Sequence, residues 1–300
     1  MSRRRAPRQL GSVLVHGALA VLAVAALFPL VWMVSASLMA PGELSAAPPP
    51  FLPASVTLDN YRELWQRTDF ARCFGNSLVL ALSATALSLV VNVSAGYAFA
   101  KLRFVGRQAL AKALLGLLLV PGQVAMIPLF LMLKELGLVN SYAGVLVPSL
   151  ANVFGIFLVR EYARAIPDEL MEAARIDGAG ELRIFWSVML PVMRPIVVTL
   201  AIFAFLGSWN DFLWPLIVLT DDARQTLPVA LATLAREHAA DAELMMAGAV
   251  VTIAPVLLIF LAVQRTYLRG LVAGSVKAVS YTHLRAHETD SYLVCRLLLE

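Results

Sequence analysis

Apolar residues in this chain neither alternate nor scatter. They gather into long runs separated by short polar connections, at about 13–35, 76–98, 110–133, 142–159, 196–219 and 244–263. A helix rises about 1.5 Å per residue, so roughly 20 apolar residues cross a hydrocarbon core about 30 Å thick. The pattern predicts an all-α membrane protein with six transmembrane helices, the fourth of them short. Prolines interrupt the third run at Pro121 and Pro128 and the fifth at Pro215, and Pro29, Pro148 and Pro255 fall inside others. Such breaks are tolerated where neighbouring helices or a wet cavity satisfy the freed backbone groups. The first run follows Arg3, Arg4, Arg5 and Arg8 and ends on SAS at Ser35 to Ser37, in the manner of a secretion signal. From Val13 to Val34 it reaches about 33 Å, well beyond the roughly 7–15-residue core of a signal. It reads as an uncleaved first span.

The polar connections set orientation, because basic residues stay on the cytoplasmic side. The amino terminus is basic, and the connection after the second span holds Lys101, Arg103, Arg107 and Lys112 with no acid. Arg265, Arg269 and Lys277 follow the sixth span. Opposite these, Leu38 to Gly75 carries Glu43, Asp59, Glu63 and Asp69, and the stretch after span five holds Asp221, Asp222, Glu237, Asp241 and Glu243. The sides alternate as six spans require, with both termini in the cytoplasm.

Composition agrees with a membrane protein. The chain is 60% hydrophobic and 15% charged over 300 residues, against roughly 25% charged in a soluble protein, and its mean hydropathy is +0.77. Length alone would suggest about two domains, but the long apolar runs override that. The net charge of +4 has no basic patch interleaved with aromatics, which excludes a nucleic-acid partner. Cys73 and Cys295 make neither a disulfide framework nor a metal knuckle, and His16 and His238 have no metal-ligand company.

One cytoplasmic connection is more than a loop. Arg160 to Arg194 is nearly neutral and carries MEAARIDGAGELRIFWSVMLP at Met171 to Pro191. Pro167 suits a first helical position, and Asp168 and Glu169 complement a helix N-terminus. Leu170, Ala173, Ala174 and Ile176 supply an apolar or small face, and Gly178 or Gly180 can take the left-handed conformation that stops a helix. A second piece comes next, with Leu182, Phe185, Trp186 and Met189 at helical spacing, closed by Pro191. Helices this short do not stand alone in water. They dock on the chain's own spans, lie in the lipid interface, or dock on a separate cytoplasmic protein.

The segment resembles the EAA loop of ABC-transporter permease subunits, with Glu172, Ala173, Ala174, Asp177, Gly178, Ala179 and Pro191 in the family spacing. PPPFLPASVTLDNYRELW (Pro48 to Trp65), AGYAFAKLRFVGR, IPLFLMLKELGLVNSYAGVLVP, FAFLGSWNDFLWPLIVL and QRTYLRGLVAGSVK extend the likeness to the sugar-type importer permeases, in particular the maltose-permease MalG-like half. The resemblance implies the type I importer architecture in a bacterial inner membrane. It also implies a second permease subunit, two ATP-binding subunits and an extracytoplasmic solute-binding protein. By the same likeness Glu172 meets the ATPase, Ala173 and Ala174 form the close-contact surface, Gly178 is the bend and Asp177 braces it. ATP and magnesium belong to the partner ATPase. This chain has no P-loop, since none of Lys101, Lys112, Lys134 and Lys277 follows a glycine, and no catalytic constellation is visible. The implied solute is a sugar or oligosaccharide, with glycerol phosphate or another polyol as the alternative. An ion-driven secondary transporter would show inverted repeats and mid-membrane acids, and neither is found.

Polar residues inside spans are costly and so are candidates for the solute path. These are Asn92, Asn152, Trp209, Asn210 and Asp211. For Asn92 and Asn152 an interhelical hydrogen bond is the favoured reading over a path, and Trp209 suits an interfacial anchor. Asp211 falls about 24 Å along its span, near the outer interface. The family likeness ends at Lys277. The organisation expected is a basic segment at 1–12, a permease domain at 13–277 and a non-native tail at 278–300.

Overall fold

The computed structural model describes residues 6–67, 69–237 and 241–275, and among them every regular element is a helix. Arg3 to Arg5, His238 and the segment 278–300 lie outside the described residues. In chain order the first helices are α1 (Ala6–Ser37), α2 (Asp59–Arg67), α3 (Phe70–Lys101), α4 (Arg107–Leu117) and α5 (Met126–Glu135). Then come α6 (Tyr142–Ser149), α7 (Val153–Arg164), α8 (Glu169–Ile176), α9 (Glu181–Ile184) and α10 (Leu190–Val192). The last four are α11 (Arg194–Trp209), α12 (Leu213–Val218), α13 (Leu227–Glu237) and α14 (Ala242–Ser275).

Three stretches are unbroken, apolar and long enough to span: Ser12–Ser37 in α1, Phe70–Lys101 in α3 and Ala242–Gln264 in α14. Three further candidates are bent pairs. They are α4 with the 3-10 turn Gly122–Ala125 and α5, at 96°; α6 with α7, at 41°; and the segment Glu181–Val192 with α11, at 80°. The breaks do not fall at every proline that the sequence offered. Pro128 and Pro215 sit in the first turns of α5 and α12, where a missing N–H has no partner to lose. The chain instead breaks before them, ahead of the turn after Pro121 and at Asn210 to Phe212.

The bundle is organised on α3. Its buried positions include Ser77, Ala81, Ala84, Ser88, Asn92 and Gly96, a stripe of small side chains along one face. Small residues allow close helix approach in lipid, where packing replaces the hydrophobic drive. At Gly96 the approach is complete, since a Cβ there would lie 2.6 Å from the Val159 Cβ and 2.8 Å from the Ile156 carbonyl oxygen. Thus α7 packs directly on the α3 backbone, and α11 packs beside it.

Segments expected on the same side of the membrane meet at the same end of the bundle. At one end, buried Glu243 accepts the Leu44 N–H at 2.7 Å, and Asn76 Nδ2 donates to the Ala223 and Gln225 carbonyls at 3.0 and 2.9 Å. At the other, Lys101 binds the segment that leads into α8. An apolar core lies at each end: Phe70, Trp209, Leu227 and Leu244 at the first, Tyr97, Val159, Met171 and Met189 at the second.

Candidate coupling loop and solute path

The loop helix α8 is short because both its ends are specified. Asp168 is the N-cap and Glu169 the first helical residue, two residues later than the start that Pro167 suggests. At the far end Gly178 takes φ +79°. The Ala179 N–H bonds the Ala174 carbonyl at 2.9 Å and the Gly178 N–H bonds the Arg175 carbonyl at 3.0 Å, the two bonds of a Schellman stop. Gly180 is extended, so only the first glycine makes the turn. Across it Arg175 Nε donates to Glu181 at 2.8 Å. That hydrogen bond holds the Glu181 carboxyl below its ordinary range and pushes the Arg175 guanidinium up.

Beyond Gly180 the chain forms one helix with a wide turn in it. After α9 come a π-helical stretch, Phe185–Met189, and then α10. The Leu190 N–H reaches back five residues to the Phe185 carbonyl. Pro191, expected to close the piece, lies within α10. Its ring and missing N–H prevent a regular bond to the turn before it, and a π-turn absorbs such a fault.

The loop is clamped to the bundle. Met171, Ile184, Phe185 and Met189 are buried against Val159, Ala163 and Tyr97, and the Tyr97 and Phe185 rings lie 4.9 Å apart. Lys101, its side chain 5% exposed, donates to the Ile166 carbonyl and to Asp168 Oδ1, both at 2.5 Å. The Lys101 ammonium holds the Asp168 carboxyl below the usual carboxylate range. With that face used, Glu172, Ala173, Asp177 and Gly178 remain exposed together with Ile176, at 86%, and Leu182. Ala174 is half-buried and packs inward. The alanine pair that looks alike in sequence is divided between the two faces.

The polar span residues are also divided. A cavity of about 140 Å³ lies among α3, α6, α7 and α11. Ser88, Ser149, Asn152, Ser208 and Asp211 line it, with Phe154 and Phe203 edge to face at 6.1 Å. Asn152 caps α7, accepting the Gly155 N–H at 3.1 Å. Asn92 is wholly buried (0% exposed) beneath it. It accepts the Asn152 N–H at 2.9 Å and donates to the Leu150 carbonyl at 3.3 Å and to Ser88 Oγ at 2.5 Å. Trp209 turns away. It is 1% exposed, stacked on Phe205, and its Nε1 donates to the Thr252 carbonyl of α14 at 3.0 Å. Asn210 is exposed and donates to the Leu206 carbonyl of its own helix at 3.0 Å. Sequence reasoning passed over the serines and the two phenylalanines. Their signal, small hydroxyls in apolar runs, is shared by many ordinary packing positions.

A family described as "Binding-protein-dependent transport system inner membrane component" matches residues 92–271, a stretch that holds the clamped loop and most of the cavity lining. The chain belongs to this family. It is a permease subunit of an ABC importer, with the type I architecture, and not an enzyme. The arabinooligosaccharides transport system permease protein AraQ of Halalkalibacterium halodurans is 38% identical over 86% of this chain and 94% of its own length. The lactose transport system permease protein LacG of Rhizobium radiobacter is 33% identical over 90% and 98%. Among solved structures, a bacterial ABC transporter involved in import of the acidic polysaccharide alginate superposes with a TM-score of 0.76 at 25% identity, covering 88% of this chain and 99% of that one.

Proposed function

We propose that this permease carries a sugar or oligosaccharide across the inner membrane, driven by ATPase subunits that grip the exposed side of α8. The observation that carries the coupling assignment is the two-faced loop. One face is fixed to α3 and α7 through Met171, Phe185 and Lys101, and the other presents Glu172, Ala173, Asp177 and Gly178. A helix held on one side and bare on the other can pass a push into the spans as a rigid body. In this reading six spans place both termini and α8 in the cytoplasm, with the bent pairs as broken spans. A second permease subunit, two ATP-binding subunits holding ATP and magnesium, and an extracytoplasmic solute-binding protein complete the machine. The carbohydrate assignment is supported by the names of the relatives, and the cavity at Asn152 and Asp211 is this subunit's share of the solute path.

The test is Glu172→Lys in the complete importer. Solute uptake and co-purification of the ATPase are expected to fall at least about tenfold, as for a disrupted charged contact at an interface, while membrane insertion is unchanged. Uptake at the wild-type level would remove the coupling assignment.

A further inference from the structure

The lining of the cavity is specific about charge. It offers hydroxyls, one amide and two phenyl rings, and among the described residues its only ionisable side chain is Asp211, with no lysine, arginine or histidine. Asp211 Oδ1 accepts the Trp214 N–H at 3.3 Å, across the break that leads into α12. That bond needs no charge, because asparagine or serine caps a helix about as well. The negative charge therefore exceeds what the backbone requires. Its surroundings suit sugar hydroxyls, which donate to a carboxylate while their C–H faces lie on Phe154 and Phe203. An anionic solute would meet a like charge, with no cation among this chain's described lining residues to offset it.

We propose that the cavity is a subsite for an uncharged, polyhydroxylated solute, and that Asp211 is the specificity-determining residue that turns anions away. This rests on the reading of the chain as a carbohydrate permease whose path includes the cavity. Kinship does not decide the charge of the solute, since the relatives' names span arabinooligosaccharides, lactose and acidic alginate.

The experiment places a thiol in the cavity by Ser208→Cys, with Cys73 and Cys295 changed to serine, in the complete importer in lipid nanodiscs. There both faces of the bilayer meet the buffer. Cationic trimethylammonioethyl and anionic sulfonatoethyl methanethiosulfonate are the probes, each corrected for its rate with a free thiol. The cationic reagent is expected to react about tenfold faster, with the ratio falling to about one in Asp211→Asn, which keeps the cap. Lactose, arabinotriose and galactose are expected to slow labelling. Galacturonate, which differs from galactose by one carboxylate, is expected to do so only in Asp211→Asn. Equal protection by galactose and galacturonate in the chain with Asp211 intact, or a charge ratio that ignores Asp211→Asn, would overturn the proposal. A charge ratio that tracks Asp211 with no protection by any neutral sugar would remove the solute-path reading, and the proposal with it.

Discussion

Lys101 ends α3 with an ammonium that scarcely meets solvent, and both of its partners belong to the approach to α8. Asp168 is 73% exposed, so solvent screens most of that ion pair, and the bond to the Ile166 carbonyl does more of the holding. A hydrogen bond to a charged group contributes about 1.5–3 kcal/mol. Lys101→Met is therefore expected to raise amide hydrogen exchange across residues 169–176 by about tenfold or more, and unchanged exchange would remove the clamp. Acid acts on the same contacts with a definite sign. The Asp168 and Glu181 carboxyls lie below their ordinary 3.8 and 4.5, so their contributions are complete above those values and fade as pH falls through the lowered ones. Exchange in α8, corrected for its intrinsic rate, is expected to stay flat from about pH 8 to 5 and to rise only below about pH 4. Gly178 is a simpler case. Its φ of +79° strains any Cβ, yet nothing lies within 4 Å of one. Gly178→Ala is expected to cost about 1 kcal/mol through conformation alone, read from the helix's exchange protection.

At the scale of elements, the break between α6 and α7 carries the most information. A broken helix leaves carbonyls and N–H groups without partners, and in a membrane these are expensive. Asn92 on α3 meets both needs, giving its amide protons to Leu150 and Ser88 and taking the Asn152 N–H. Asn92→Leu keeps the branching at Cγ, though with a larger side chain, and leaves the Leu150 carbonyl and the Asn152 N–H without their partner, at up to about 1–3 kcal/mol for each group. The purified complex is expected to unfold at a lower temperature, with loss of solute-stimulated ATP hydrolysis, since the break floors the cavity. A thermal midpoint equal to wild type would contradict this role. The sequence marked Asn92 and Asn152 as polar residues inside spans and favoured an interhelical hydrogen bond over a path. The hydrogen bond between them is present, with Asn152 lining the cavity and Asn92 bracing it from behind. Nothing local in the sequence could separate the two, because the partners of Asn92 at the break are 58 to 60 residues away.

At the scale of the whole molecule, two sets of polar contacts fasten opposite ends of the bundle. Glu243 with Leu44 and Asn76 with Ala223 and Gln225 fasten one end, while Lys101 with Ile166 and Asp168 fastens the other. The two sets share no residue and lie at opposite ends of α3, so their effects on stability are expected to add. In a thermodynamic cycle, Lys101→Met with Glu243→Gln should equal the sum of the single variants to within about 0.5 kcal/mol. A larger coupling would mean that the ends communicate through the ground-state packing.

The sequence by itself determined the apolar runs, the alternation of charge between connections and the chemistry of the EAA loop, because hydropathy and charge act on each segment according to its own composition. It also marked Gly178 for the turn, since the left-handed conformation is a property of the residue. Only the tertiary structure decided which face each residue presents. Ala173 and Ala174 are neighbours with opposite surroundings, Trp209 is a brace on α14, and Asp211 sits beside serines from two distant helices, α3 and α6. Facing depends on which distant helix lies across the way, and that is fixed by packing the stripe of small residues on α3, not by any run of sequence read alone.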